Sequence, residues 1–364
     1  MLHGRSRLLR LALFLGMVFL SACEDDGLPP GPEATPAQVR ATEVAGVPQP
    51  ADNPSSPAKV ELGRLLYWDP ILSGDRDVAC ASCHDPARGY SDGRTVSMGT
   101  AGQLTPRGAL TVLDAAWNGW TALALFPDPK QAPMFWDERV RSLETQARGP
   151  LTGAKEMRGT AFDESAIFPE LAGRLAAIPE YVAMFESAFG STTIDDTAIV
   201  RAIASFERTL VTVPSYERWL AGDETAISDA AKRGVREFRE DGCSRCHSGP
   251  MLSDFALHRF TRHGEAIRTP SLRNVMRTAP YMHDGRAATI DEVFAIYRGV
   301  DDDADRAFRE LRVPGGRGGR GGGGGGATEE SDVLAFFESL SDGDFDKSVP
   351  ARVPSGLPVG GRRP

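Results

Sequence analysis

Apolar residues recur at every third or fourth position in several stretches of the chain, which predicts amphipathic helices. The clearest stretches are residues 60–67, 193–219, 231–238 and 331–340. In the second stretch the pattern runs from Ile199 through Ile203 to Leu210. Thr328 or Ser331 is predicted to cap the last helix. No run alternates in the manner of a strand, so the predicted fold class is all-α with long loops.

The first 22 residues have the pattern of an export signal. A basic start precedes an apolar run, Leu11 to Leu20, which is too short to span a membrane comfortably. The run ends in Ser21-Ala22-Cys23, which resembles the lipidation site of bacterial lipoproteins. We therefore predict a lipid anchor on Cys23 at the periplasmic side of a bacterial membrane. The alternative is an ordinary signal beside which Cys23 is incidental.

Three further segments lack any apolar periodicity. Residues 23–56 are rich in Pro and acidic residues, which predicts a flexible tether. Residues 315–326 are all Gly apart from two Arg, which predicts a surface loop. Residues 347–364 are predicted to be a disordered tail.

The charge balance and the cysteine positions narrow the class of protein. The 50 acidic and 41 basic residues give a formal net charge of -9, which argues against nucleic acid as a partner. The five cysteines are one single residue, Cys23, and two close pairs, Cys80 with Cys83 and Cys243 with Cys246. This spacing argues against a disulfide framework.

Both cysteine pairs belong to a C-x-x-C-H motif, the attachment sequence of c-type haem. Two thiols at this spacing reach the vinyl groups of one porphyrin, and the following His, His84 or His247, then lies below the iron as its ligand. A zinc site would need the two pairs to meet in space, and a redox dithiol would not need the His. We predict two covalently bound haem c groups in two cytochrome c-like domains, residues 57–222 and 223–346.

Further motifs resemble those of the bacterial dihaem cytochrome c peroxidases and their MauG-type relatives over about residues 57–345. In that family the N-terminal haem reduces peroxide and the C-terminal haem accepts and passes on electrons. The matching stretches are Leu62-Gly63-Arg64-Leu65-Leu66, Cys83-His84-Asp85-Pro86-Ala87-Arg88-Gly89, Phe135-Trp136-Asp137, Ser142-Leu143-Glu144-Thr145-Gln146-Ala147, Thr269-Pro270-Ser271-Leu272-Arg273-Asn274 and Thr278-Ala279-Pro280-Tyr281-Met282-His283-Asp284-Gly285.

The resemblance implies roles for several residues around the first haem. Glu156 is the expected general acid/base, which moves a proton between the two peroxide oxygens. Gln146 and Pro150 are expected to shape the same distal pocket. Trp136 is expected to lie between the haems as a stepping stone for electrons.

Two positions differ from those of many peroxidases in this family. Where these have a His that blocks the first iron until reduction, this chain has Thr100. We therefore predict an open iron in the resting ferric state, with Met98 as the alternative ligand. The second iron, held by His247, is expected to take Tyr297 as its other ligand, as in MauG-type proteins. Met282 is the rival.

Calcium is a further expectation from the resemblance, through carbonyl oxygens at Thr278 and Pro280. The family's Asn ligand, however, aligns with Gly108, which offers no side-chain oxygen. Another departure is Glu138, where the family commonly has Gly.

Three functions follow from these features. The first is reduction of hydrogen peroxide with electrons from a small cytochrome c or cupredoxin, whose basic patch would suit this acidic chain. The second is a MauG-type oxidase acting on a protein or organic substrate. The third is a dihaem electron carrier without catalysis, against which Gln146 and Glu156 argue. A homodimer is left open.

Overall fold

The computed structural model describes residues 46–124, 126–260, 264–299 and 327–362. Within these ranges the protein is mostly helical, and its strands are two-residue pieces paired into two antiparallel hairpins. The helices are α1 (Pro57–Trp68), α2 (Cys80–Cys83), α3 (Leu143–Thr152), α4 (Glu164–Ala176), α5 (Pro179–Phe189), α6 (Asp196–Glu207), α7 (Ser215–Leu220), α8 (Asp229–Glu240), α9 (Ile290–Arg298) and α10 (Ala327–Ser339). The strands are β1 (Pro133–Met134), β2 (Val140–Arg141), β3 (Leu257–His258) and β4 (Ile267–Arg268).

The N-terminal domain is built on the crossing of α1 and α6. Gly63 lies at this crossing, and a Cβ atom there would clash with the carbonyl oxygen of Ala202. Only Gly lets the two backbones approach so closely. Leu62 and Leu66 then pack with Ile203 in the core.

A glycine likewise allows close helix contact in the C-terminal domain, where α8 crosses α10. A Cβ atom on Gly234 would clash with the carbonyl oxygen of Asp332. The Asp332 carboxylate pairs with Arg233 at 2.6 Å, and Phe238 packs edge-on against Phe336. Each glycine stands on the helix that precedes a C-x-x-C-H motif, so each crossing fixes where that motif begins.

A buried polar network joins the two domains. The Asp114 carboxylate, fully buried, accepts hydrogen bonds from Arg273 Nε at 3.0 Å and Asn274 Nδ2 at 3.2 Å. It also accepts a bond from the Thr212 hydroxyl at 2.5 Å. Arg273 forms a further ion pair with Glu217. The buried charges are therefore satisfied across the junction, as burial requires.

The predicted helices were confirmed, with one division. Residues 60–67 and 231–238 fall in α1 and α8, and residues 331–339 fall in α10. Residues 193–219 contain two helices, α6 and α7, separated by residues 208–214. Thr328 and Ser331 lie inside α10 rather than before it. Among the described residues, no helix combines the length and apolar character that a membrane span requires.

The predicted disordered tail was wrong over residues 347–362. Val353 is buried in a cluster with Tyr67 and Trp68, and the Ser355 hydroxyl donates to Asp69 at 2.6 Å. The apolar residues of this segment alternate with Pro, Gly and polar residues, so they show no helical period. Its backbone is stabilised instead by hydrogen bonds to the N-terminal domain.

The predicted tether was wrong in the same way at its end. Asn53 is buried, and its amide donates to the Glu144 carboxylate at 2.9 Å and to the Arg201 carbonyl at 3.1 Å. Residues 46–56 therefore belong to the folded part. The export signal, Cys23 and the Gly-rich segment 315–326 lie outside the described residues.

Candidate functional site

The first C-x-x-C-H motif opens a cavity in the N-terminal domain. Cys80, Cys83 and His84 all lie in its wall. His84 donates from Nδ1 to the carbonyl oxygen of Tyr90 at 3.1 Å, and this bond leaves Nε2 as the atom for an iron. Burial lowers the pKa of His84, which favours the neutral imidazole that a metal needs.

The predicted distal residues line the same cavity. Gln146 and Pro150 are four residues apart on α3, so they share one helix face, and both line the cavity. Glu156 follows in the turn after α3 and also lines it. Burial raises the pKa of the Glu156 carboxyl, against a smaller opposing effect of Arg139. A carboxyl with a raised pKa is suited to hold and release a proton near neutral pH.

The loop of residues 97–103 borders this cavity without offering a ligand from Thr100 or Met98. The wall includes Ser97 and Gly99 from this loop, but neither Thr100 nor Met98 is part of it. Thr100 is fully buried, and its hydroxyl donates to Asp77 at 2.5 Å. The geometry therefore does not favour Met98 as a substitute ligand.

The second motif opens a separate cavity in the C-terminal domain. Cys243, Cys246 and His247 line it, and His247 Nδ1 donates to the carbonyl oxygen of Leu252 at 3.1 Å. Both rival ligands, Tyr297 and Met282, lie in the same wall. Burial raises the pKa of the Tyr297 phenol.

Trp136 lines both cavities, as expected of a residue between two haems. It stands in the loop between β1 and β2, and its Nε1 donates to the carbonyl oxygen of Gly108 at 3.0 Å. Glu138 in the same loop has a φ of 54°, a left-handed conformation that explains why Gly suits this position.

Two further histidines, His258 and His263, follow the second C-x-x-C-H motif. His258 lines the second cavity, and its Nε2 lies 3.0 Å from Asp254 Oδ2. The bond to Asp254 is the main cause that raises the pKa of His258 to about 10. His263 lies outside the described residues.

The zinc interpretation is contradicted by this arrangement. The four described cysteines are free thiols, and the two pairs line different cavities. One cluster among the described residues could gather around a metal ion, namely Cys246, Asp254 and His258. It contains only one thiol, and that thiol is the one the haem motif uses.

Comparison with known proteins gives the family. The sequence profile described as di-haem cytochrome c peroxidase matches residues 57–225. The cytochrome-c peroxidase IdrP1 of Denitromonas iodatirespirans is 33% identical, with 93% of this chain and 94% of that protein covered. The methylamine utilization protein MauG of Methylophilus methylotrophus is also 33% identical, over 84% of this chain and 88% of that protein. The chain belongs to the dihaem cytochrome c peroxidase and MauG family. It is therefore an oxidoreductase of this class.

Solved structures agree with the family assignment. A MauG-like protein associated with microbial copper homeostasis superposes with a TM-score of 0.66 at 28% identity, over 81% of this chain and 93% of that chain. The diheme peroxidase BthA of Burkholderia thailandensis has a TM-score of 0.62 at 21% identity, over 86% of this chain and 92% of that chain. At that identity BthA supports the fold alone.

The residues present fit two haem c groups, which membership of the dihaem family implies. Each cavity presents two thiols and one imidazole from a single short motif. In each, the imidazole Nδ1 is already bonded to a backbone carbonyl, which orients the ring and fixes its tautomer.

The geometry also reveals two residues that the sequence did not single out. Arg268 is buried, lines both cavities and donates from Nε to the Phe135 carbonyl at 2.8 Å, beside Trp136.

Glu207 is buried in the wall of the first cavity, where its Oε2 has no hydrogen-bond partner among the described residues. Burial raises the pKa of Glu207 to about 8. Nothing in its neighbourhood along the chain marked it, since its last helical turn is otherwise apolar.

Proposed function

We propose that this family member reduces hydrogen peroxide to water at the first haem, with electrons that arrive through the second. The observation that carries the proposal is that His84 and Glu156, a partly buried carboxyl whose pKa is raised by burial, line the same cavity. An electron carrier without catalysis has no need of a proton-transfer group at an iron site.

The haem irons supply the one-electron redox chemistry, and the protein supplies the proton transfer and the positioning. Reduction of one hydrogen peroxide to two waters consumes two electrons, which the haems would supply, and two protons. The Glu156 carboxylate would accept a proton from one peroxide oxygen and donate it to the other as the O–O bond breaks. The Gln146 amide can donate a hydrogen bond to bound peroxide from the same wall. Pro150 has no N–H, so it narrows this wall without adding a donor.

Electron entry is assigned to the second cavity. His247 and Tyr297 are proposed as its two iron ligands, with Met282 as the rival in the same wall. A phenolate ligand stabilises ferric iron and lowers the reduction potential relative to a thioether. Trp136 would relay electrons between the cavities that it lines.

A MauG-type oxidase is the second candidate function. Two observations favour it: Thr100 is bonded to Asp77 instead of presenting a ligand to the first cavity, and a Tyr faces the second cavity. The first of these agrees with an open first iron in the ferric state, and the second agrees with the Tyr ligand of MauG-type proteins. The substrate would then be a protein or another organic molecule in place of a redox donor alone.

The decisive experiment compares Glu156→Gln with wild type. We expect peroxide turnover with a reduced donor to fall by roughly 10²- to 10⁴-fold, the usual range for loss of a general acid/base. Glu164→Gln is the matched control, because Glu164 is exposed on α4 and should keep full turnover. Undiminished turnover in Glu156→Gln would remove the assigned role.

The ferric EPR spectrum tests the open iron separately. We expect one high-spin haem, the first, and one low-spin haem, the second. A wholly low-spin spectrum would contradict an open first iron. Peroxide consumption without any added donor, coupled to oxidation of an organic substrate, would favour the oxidase.

Further proposals concern partners and place in the cell. We propose a small cytochrome c or cupredoxin as donor, and a lipid anchor at Cys23 that holds the protein at the periplasmic side of a membrane.

A homodimer and bound calcium stay predictions. For calcium, Thr278 and Pro280 line the second cavity, but Gly108 has no side-chain ligand and its carbonyl already accepts the Trp136 indole.

A further inference from the structure

The C-terminal segment is bonded to the first haem motif and to residues that precede it. The carbonyl oxygen of Gly360 accepts the hydroxyl of Ser82, inside the motif, at 2.8 Å. The Gly360 N–H donates to the carbonyl oxygen of Trp68 at 2.7 Å. Arg362 makes two bonds to Asp77. Its N–H donates to the Asp77 carbonyl oxygen at 2.6 Å, and its guanidinium pairs with the Asp77 carboxylate at 2.9 Å.

Asp77 carries this connection into the loop of residues 97–103. Its Oδ1 accepts the Thr100 hydroxyl at 2.5 Å, and its Oδ2 accepts the Ala101 N–H at 3.0 Å. The same hydroxyl lies 3.3 Å from Asp75 Oδ2. Since Thr100 is fully buried, the bond from its hydroxyl to the Asp77 carboxylate is partly shielded from water, which strengthens it relative to the exposed bond from Ala101.

The loop in turn contacts the main chain of Glu156. The Thr100 N–H donates to the Glu156 carbonyl at 2.7 Å. At the preceding residue, Gly99, a Cβ atom would clash with the carbonyl oxygens of Lys155 and Glu156. The loop therefore lies directly on the backbone that carries the proposed acid/base.

We propose that Arg362, Asp77 and Thr100 form a positioning chain that holds Glu156 in the first cavity. The chain acts through hydrogen bonds and touches neither peroxide nor iron. It gives the C-terminal segment a role at the reaction site, and it ties the loop in one conformation. The inference rests on the proposed function only in the role of Glu156.

The test uses the full-length holoprotein and four single variants. Thr100→Val removes the hydroxyl at nearly constant volume, and Thr100→Ser restores it. Arg362→Ala removes the outer end of the chain. Arg352→Ala is the control, because Arg352 belongs to the same segment but pairs with Glu180 at 2.9 Å on the surface.

The first readout is hydrogen exchange of the amides in residues 97–103, followed by mass spectrometry. Loss of a buried hydrogen bond to a carboxylate should speed exchange in Thr100→Val by about tenfold or more. Arg362→Ala should give a smaller increase, and Thr100→Ser and Arg352→Ala should match wild type. Haem content and the EPR spectrum show that each variant binds both haems. If Thr100→Val does not take up haem, the exchange and turnover of Arg362→Ala test the proposal instead.

The second readout is peroxide turnover in a double-mutant cycle with Glu156→Gln. Thr100→Val should lower kcat by roughly 3- to 10-fold in the wild-type background, and by much less beside Glu156→Gln, because coupled residues are not additive. Equal losses in both backgrounds, or exchange and turnover like those of Thr100→Ser, would overturn the positioning chain. Full turnover of Glu156→Gln alone would instead overturn the proposed acid/base, while faster loop exchange would still show that Thr100 holds the loop.

Discussion

The two haem cavities are built from the same parts up to the iron and from different parts beyond it. Each begins after a helix crossing that depends on a glycine, Gly63 or Gly234. In each, the motif histidine donates from Nδ1 to a backbone carbonyl at 3.1 Å. The rest of the lining differs, with Glu156 in the first cavity and Tyr297 in the second.

This difference shows where specialisation occurs in a duplicated architecture. The attachment side is set by covalent spacing, so both halves must solve it alike. The rest of each cavity lining comes from segments that are distant in the chain. These segments can present either a proton-transfer group or a second iron ligand. A catalytic site and an electron-entry site can thus share one scaffold.

The largest expected effect tests whether the two halves behave as one unit. Asp114→Ala leaves the buried Arg273 without one of its carboxylate partners, which should lower the free energy of unfolding by about 3–5 kcal/mol. Thermal unfolding followed at both haem absorptions should show the two domains melting together at a lower temperature. Asp128→Ala, at an exposed residue, is the control. An unchanged melting temperature in Asp114→Ala would contradict the importance of this junction.

The next effect distinguishes the electron-entry site from the catalytic one. Tyr297→Met should raise the potential of the second haem by on the order of 0.1 V, because a thioether stabilises ferric iron less than a phenolate does. The potential of the first haem should stay unchanged in a spectroelectrochemical titration. Met282→Leu is the counterpart: if that variant shifts the potential and Tyr297→Met does not, Met282 is the ligand.

The last effect concerns Glu207, which lines only the first cavity. The folded protein keeps its proton up to a pKa of about 8, whereas the unfolded chain releases it near 4.5. The stability that the protonated form contributes is therefore complete below pH 4.5 and is lost as pH rises toward 8.

Glu207→Gln should abolish this dependence. Between pH 5 and 8 the variant should gain stability relative to wild type by up to about 1.4 kcal/mol per pH unit. Melting temperatures measured across this range check it, with Glu164→Gln as a control of constant offset. A difference between Glu207→Gln and wild type that does not change with pH would mean that Glu207 titrates normally.

Much of the fold was accessible from the sequence because its signals are local. The spacing of apolar residues predicted α1, α8 and α10, and residues 193–219 were correctly expected to be helical apart from the break before Pro214. The break was missed because the apolar pattern continues through it. The C-terminal segment was missed for the opposite reason, since its packed apolar residues, Val353, Leu357 and Val359, are interrupted by Pro and Gly and follow no helical period.

The candidate site was accessible only in part. Gln146 and Pro150 are close in sequence to Glu156, and the resemblance to a family linked all three to one pocket. Arg268 and Glu207 carry no such mark, because their importance comes from burial beside cavities that distant segments enclose.

By itself, the sequence determined the two haem attachment sites, the helical class and the family. These follow from covalent spacing and from the helical period, which act over a few residues. Only the tertiary structure decided that Trp136 lies between both cavities and that residues 345–362 return to the first domain. It also decided that Asp77 connects this segment to Thr100 and so to Glu156. Such contacts join residues far apart in the chain, and they exist only once the helices have packed.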